Sequence, residues 1–231
     1  IKIDLRNIEE ELEAKQGVDV KEIKRFGVNF FNTYQSTFSP INEPNVSPDY
    51  IVDYGDTINI TLIGSNSQNL SEIVRADGAV LIPDVGRVVV AGLPMARVDN
   101  LISKTVGEKL LGTEAFTTLS NIREINVLIV GNVNNPGIYR LNGASNPLTV
   151  LNAAGGIAEG GSFRNISHKR NGKVLRKFDL YEILINGNLP FDFSLRSGDS
   201  IVVNPKGQEV SISGGVANPA IYELLKNEGL N

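Results

Sequence analysis

In 231 residues there is no cysteine. That excludes disulfides, Cys-ligated zinc, iron–sulfur clusters and thiol nucleophiles together. It leaves the redox compartment open, because the absence is permitted on both sides of a membrane. No stretch approaches the roughly 18 consecutive apolar residues that a bilayer-spanning helix needs. The opening residues, IKIDLRNIEEELEAK, are charged and lack the apolar core of a secretory signal, and no initiating Met precedes them. A processed or trimmed N-terminus is therefore expected, with a targeting signal removable upstream. A basic excess is missing too: 22 Lys and Arg stand against 26 Asp and Glu, a formal charge of −4. There is no electrostatic reason for such a chain to bind nucleic acid, whose recognition leans on a basic face.

What is present belongs to a globular chain of one or two cored domains, with 41% apolar and 21% charged residues. The 23 Gly and 10 Pro indicate many turns, so short strands should outnumber long helices. Ile3, Leu5, Ile8 and Leu12 recur among acids and predict a short amphipathic helix. Residues 26 to 50 mix aromatics with Pro40, Pro44 and Pro48, so the second half of this stretch should be an extended clasp. Phe26, Phe30, Phe31 and Phe38 then need a surface to cover, either the adjoining domain or a second subunit.

From Asp49 the pattern turns to β. Ile58, Ile60 and Leu62 alternate with polar residues, and Asp77-Gly78 and Asp84-Val85-Gly86 break residues 72 to 93 into short strands. Val98, Leu101, Ile102, Val106 and Leu110 follow at near-helical spacing, with Pro94 suited to the first turn and Gly112 to the C-cap. Strands, one helix, then strands again make the class α+β. INVLIV (125 to 130) is the next strand. In NNPG, Pro136 presets φ and Gly137 is expected to take the left-handed position, after which Ile138 should face opposite to Tyr139 and Leu141. Leu148, Leu151 and Ala154 mark a short helix stopped by Gly155 and Gly156. Asn171-Gly172 centres a hairpin over 165 to 180, YEILING is a helical turn, and Gly198-Asp199 turns into the strand at 201 to 203.

One stretch is written twice. GNVNNPGIYRL (131 to 141) returns as GGVANPAIYEL (214 to 224), 83 residues later. Val133, Asn135, Pro136, Ile138, Tyr139 and Leu141 recur as Val216, Asn218, Pro219, Ile221, Tyr222 and Leu224. A period of about 80 residues is that of a small domain and not of a solenoid turn. One complete unit and the first hairpin of another are expected, in a piece of something longer.

These residues carry a resemblance. DYIVDYGDTINITLIG and VRADGAVLIPDVGRVVVAGL resemble the polysaccharide biosynthesis/export domain of outer-membrane polysaccharide export proteins. VLIVGNVNNPGIYRL with LTVLNAAGGI, GSFRNISHKRNGKVLRKFDLY and LRSGDSIVV resembles the soluble-ligand-binding β-grasp (SLBB) domain that follows it in that family. The similarity runs over residues 49 to 231. It implies an N-terminal helix and clasp (1–48), a small β-rich export domain (49–125), an SLBB β-grasp domain (126–208) and the start of a second SLBB (209–231). It further implies a periplasmic, outer-membrane-associated part of an exporter of capsular or extracellular polysaccharide. Such a part is non-enzymatic and free of cofactors, assembles as a homo-oligomeric ring or scaffold around the polymer, and works with an inner-membrane co-polymerase. No lipobox Cys and no pore-forming amphipathic helix lie in this span, while RFGVNFFN is similar to the longer, multi-SLBB branch. An oligosaccharide- or small-ligand-binding β-grasp module is the alternative, and a polysaccharide-modifying enzyme a third.

The residues offer little chemistry of their own. His168, the single histidine, lies among basic residues of the hairpin and is expected to be exposed, without a nucleophile to serve. Asp53 with Asp56, or Asp77 with Asp84, has the composition of a glycosidase acid pair, but placement in or beside Gly-containing turns explains them better. AAGGIAEGGS lacks the Lys-Ser/Thr of a phosphate loop. The candidate residues are therefore structural: Asn135, Pro136, Gly137 and Tyr139, Gly155 and Gly156, Gly198 and Asp199. His168, Lys169, Arg170, Lys173, Arg176 and Lys177 form either a solvated hairpin or a contact for an anionic polymer or an acidic neighbouring subunit.

Overall fold

The computed structural model describes residues 23–32, 47–188, 195–225 and 228. The helix expected at 3 to 14, Phe38, Pro40 and Pro44 lie outside these residues. The chain is α+β, built around two hydrophobic cores and a terminal hairpin.

The first core is enclosed by β1 (Thr57–Gly64), β2 (Gln68–Ile73), β3 (Ala79–Ile82), β4 (Gly86–Val89), α1 (Met95–Lys109) and β5 (Thr113–Asn121). β1 pairs antiparallel with both β2 and β5, while β3 and β4 form a separate hairpin. Two periodicities meet in this core. Ile58, Ile60 and Leu62 point inward at every second residue of β1, and Val98, Ile102 and Val106 at every fourth of α1. Asp99 of α1 fixes the helix to the sheet by accepting from the Thr117 amide (2.9 Å) and hydroxyl (2.7 Å). The helix is shorter than its apolar pattern implies. Pro94 is the N-cap, Leu110 the C-cap, and Gly112 lies in the turn into β5.

The second core lies under β6 (Glu124–Gly131), β7 (Gly137–Asn142), α2 (Pro147–Ala153), β8 (Gly161–Arg170), β9 (Lys173–Phe178), α3 (Leu180–Asn186) and β10 (Ser200–Pro205). The sheet order is β7-β6-β10-β8-β9, with β10 parallel to β6 and every other pair antiparallel. Ile125, Val127 and Ile129 of β6 alternate into this core, joined by Val150, Leu151 and Ala154 of the α2 region and by Phe163, Ile166, Ile201 and Val203. Asn146 caps α2 by accepting from the Thr149 amide (3.1 Å), and Asp179 caps α3 by accepting from the Tyr181 amide (2.8 Å). Asn171 and Gly172 both have positive φ, the geometry that matches a two-residue turn to the twist of β8 and β9.

β11 (Glu209–Ile212) and β12 (Ala220–Glu223) form the terminal hairpin, and its path is that of β6 and β7. Gly131 has φ 88° and its repeat partner Gly214 has φ 94°. The Val133 amide donates to the Gly131 carbonyl (3.0 Å), and the Val216 amide to that of Gly214 (2.9 Å). The Tyr139 hydroxyl donates to the Asn135 carbonyl (2.8 Å), and the Tyr222 hydroxyl to that of Asn218 (2.9 Å). The same bond from Tyr to a backbone carbonyl recurs, which accounts for the returning Tyr.

One expectation is corrected by this geometry. Gly137 does not adopt the left-handed conformation; Gly131, at the end of β6, does. The reason is placement of the reversal, which begins at the strand end and leaves Gly137 paired opposite Ile129. The aromatics ahead of the expected extended half find the surface they need. Val28–Asn32 is a 3-10 turn, and Phe26 and Phe31 pack on the second core.

Candidate functional site

The strongest polar cluster lies between the two cores. Asp56, wholly buried, accepts from the Tyr50 hydroxyl (3.0 Å to each oxygen), the Asp53 amide (2.8 Å), the Arg123 amide (2.9 Å) and Arg123 Nη1 (2.8 Å). Arg123 Nη1 also donates to the Tyr50 oxygen (2.7 Å). Burial first, and the Asp56 charge second, push the Tyr50 phenol far above its ordinary range, against the opposing pull of Arg123. Asp53 is 3.7 Å from Arg123 and 2.7 Å from Arg196, which stands in the loop before β10. Arg123 joins β5 to β6, so a single guanidinium at the crossing between the cores is held by carboxylates of the first.

A second cluster continues from Arg196. Asp199, also wholly buried, accepts from the Arg196 amide (2.9 Å) and from Arg170 Nε (2.7 Å) and Nη2 (2.8 Å), and lies 2.8 Å from His168 Nε2. Because a carboxylate only accepts, Nε2 of His168 carries the proton of that bond. His168 is 1% exposed, which corrects the expectation of a surface histidine: β8 lies between β10 and β9, Ile166, Ser167 and His168 are buried in succession, and Asp199 of the closing turn bonds the imidazole. Burial alone would raise the Asp199 carboxyl, but the bonds from Arg170, His168 and the Arg196 amide hold it well below the ordinary carboxylate range. A depressed folded-state value contributes stability that is full above the ordinary carboxylate pKa of about 3.9 and is lost as pH falls through the folded value. D199N is therefore expected to destabilise the chain at neutral pH, with the gap from wild type closing in strong acid. Urea unfolding followed by circular dichroism across pH checks this; a gap independent of pH would contradict it.

The hairpin motif and the Gly-Gly stop, 20 residues apart in sequence, form one structure. The Asn134 and Asn135 amides donate to the carbonyls of Gly156 (3.2 Å) and Ala154 (3.0 Å). Their side-chain amides donate to Gly155 (2.6 Å) and Ala154 (3.3 Å). The Asn pair thus satisfies carbonyls at the end of α2. Pro136 is exposed in the same loop, and Gly198 lies in the exposed turn that presents Asp199. Of the basic candidates, Arg170 and His168 are drawn to Asp199, Lys169 is half-buried, and Lys173, Arg176 and Lys177 are exposed on or beside the edge strand β9.

Asp53 and Asp56 are tied to arginines, and Asp77 is paired with Arg87 at 2.8 Å on the surface. The described residues include no cluster of His, Cys, Asp or Glu able to hold a metal ion. An open groove of about 430 Å³ lies between Phe26, Leu184, Ile185, Asn218 and Tyr222. Its described lining residues offer shape and apolar contact but no carboxylate, imidazole or amine. Residue-level reading missed Arg123, Arg196 and Tyr50. Arg123 has its carboxylate partner 67 positions away, so no local pattern announces it.

A family model described as polysaccharide biosynthesis/export protein matches residues 44–119, and an SLBB domain model matches 126–203. Two curated proteins, both named polysialic acid transport protein KpsD from Escherichia coli, are each 30% identical over 207 residues, covering 88% of this chain. The chain spans 36% of the length of these relatives. Its fold is that of an export domain followed by an SLBB β-grasp domain. The chain belongs to the polysaccharide export protein family.

Proposed function

We propose that this chain is the periplasmic part of an outer-membrane exporter of capsular or extracellular polysaccharide, acting as a non-enzymatic scaffold that stands beside copies of itself. The carrying observation is the order of the two matched domains, export then SLBB, aligned over 88% of the chain with a polysialic acid transport protein. The non-enzymatic reading is supported by the side chains themselves: the buried carboxylates and His168 are engaged in structural bonds. In this reading the export domain takes about residues 49–125, the first SLBB 126–208, and a second SLBB opens at 209. Lys173, Arg176 and Lys177, with Lys169 beside them, form the contact for an anionic polymer or an acidic neighbour, while His168 and Arg170 belong to the Asp199 turn. An inner-membrane co-polymerase is the partner that would deliver polymer. Among the described residues no helix is long and apolar enough to cross a membrane, so any helical crossing falls to other residues.

Deleting the gene in its host and measuring surface polysaccharide tests the reading. Polymer should vanish from the surface while accumulating inside, and return on complementation. Normal surface polymer in the deletion strain would overturn it.

A further inference from the structure

The residues before the first core do not stay beside it. Lys24–Phe26 runs parallel to β12: the Ile221 amide donates to the Lys24 carbonyl (3.0 Å), and the Phe26 amide to that of Ile221 (2.9 Å). Arg25 then enters the second unit. Its Nη1 donates to the Glu159 carbonyl (3.0 Å) and its Nη2 to that of Gly161 (2.9 Å). Its Nε is 2.7 Å from Glu209 of β11, and its Nη2 is 3.7 Å from Glu223 of β12. The guanidinium also lies over the Phe163 ring, 5.0 Å from its centroid.

Glu223 is the matching socket. It is 3% exposed and accepts from the Ser162 hydroxyl (2.5 Å), the Phe163 amide (2.9 Å) and the Gly207 amide (3.0 Å). Phe26 stacks on Tyr222 (centroids 5.0 Å, 21° between planes) and meets Tyr181 edge-on (5.1 Å). Phe31 covers Gly156 so closely that a Cβ there would fall 2.6 Å from the Phe31 Cβ. One short segment thus touches the end of α2, the start of β8, α3 and the terminal hairpin.

The repeat supplies an internal control. Ile138 of β7 is the counterpart of Ile221, and its pair Leu128 turns its amide away from it, to the Asp199 carbonyl in the turn before β10 (3.0 Å). Among the described residues the outer edge of β7 carries no strand, and Ile138 is 73% exposed there. β7 is stable in that position because β6 and three further strands back it. Among the described residues, β12 is instead joined to the second unit through Glu223 and through the segment beside it.

We propose that residues 23–31 are a strap whose Arg25 locks the terminal hairpin onto the second unit through Glu223 and Glu209. Release of the strap frees the hairpin while both cores stay folded, making its orientation a property that the N-terminal segment controls. This inference goes beyond the export reading and stands whether or not that reading does.

Hydrogen–deuterium exchange on the full chain, comparing wild type with R25Q and F26A, tests it. Losing charge-assisted bonds of this kind should speed exchange of peptides across 209–223 roughly tenfold to a hundredfold. Peptides across 124–142, the twin hairpin, should be unchanged in both variants. Unchanged protection of 209–223 in both variants would overturn the lock. Equal loss of protection in 124–142 would overturn it too, since the segment would then be an integral part of the second core. F26A leaves every Arg25 bond partner in place, so faster exchange in R25Q assigns the lock to the charge, whereas an effect from F26A alone would overturn Arg25 as the lock.

Discussion

R123A lowers the stability of the chain by about 3–5 kcal/mol, the cost of removing one partner from a buried ion pair and leaving the other charge without its counterion. The abandoned group is Asp56, which is wholly buried and receives two of its bonds from Arg123. The amide of residue 123 still donates after the substitution, but the guanidinium bonds to Asp56 and to the Tyr50 oxygen are lost together. The sharper measurement is a cycle of urea-unfolding midpoints with R123M, D56N and the double variant. Replacing both charged partners removes the penalty of the orphaned carboxylate, so the double variant should lose less than the two single losses added together. A loss below about 1 kcal/mol in R123A would show that water reaches Asp56 and that the junction is not a dry one. Arg123 lies between the cores, so the same variant should make protease cleavage near residues 121–124 faster than in wild type.

The second large effect comes from the repeat. Gly131 and Gly214 share a left-handed backbone at equivalent positions, so Ala at either one costs about 1–2 kcal/mol of conformational strain. Their surroundings differ. A Cβ at Gly131 would lie 2.1 Å from the Val203 carbonyl oxygen, because β10 runs alongside β6, whereas nothing lies within 4 Å of one at Gly214. Backbone cannot move aside as a side-chain tip can, so G131A carries a further cost of about 1–3 kcal/mol. Thermal unfolding of G131A and G214A should therefore give unequal losses, with G131A the larger. Equal losses would mean that β10 is not seated against β6 as described.

Much of the fold was legible because its causes are local. Alternation at Ile58, Ile60 and Leu62 and helical spacing at Val98, Ile102 and Val106 each name one buried face, and the structure buries those faces. Asn171-Gly172 is a turn whose chemistry lies within two residues. The duplicated stretch needed no structure to be seen, and the family resemblance rested on its order with the preceding export-like motifs. Gly137 was misplaced because turn chemistry says that a reversal occurs, while the strand register decides which glycine bears the left-handed angle.

The site residues divide differently. Asp199 was legible as part of a Gly-Asp turn, but not as the acceptor of bonds from Arg170 and His168 on another strand. His168 looked exposed because its sequence neighbours are basic. Its true neighbours are those across β10 and beneath the turn, set by sheet pairing.

By itself the sequence determined the α+β class, the turns, the repeat and the absence of thiol chemistry, since each depends on composition or on residues within a few positions of one another. Only the tertiary structure decided that Arg123 would sit among carboxylates of the first core, that the Asn pair would dock on the Gly-Gly stop, and that Arg25 would reach Glu223. Those contacts join chain segments tens to hundreds of residues apart. Coulombic and hydrogen-bond energies depend on distance in space, which spacing along the chain does not encode.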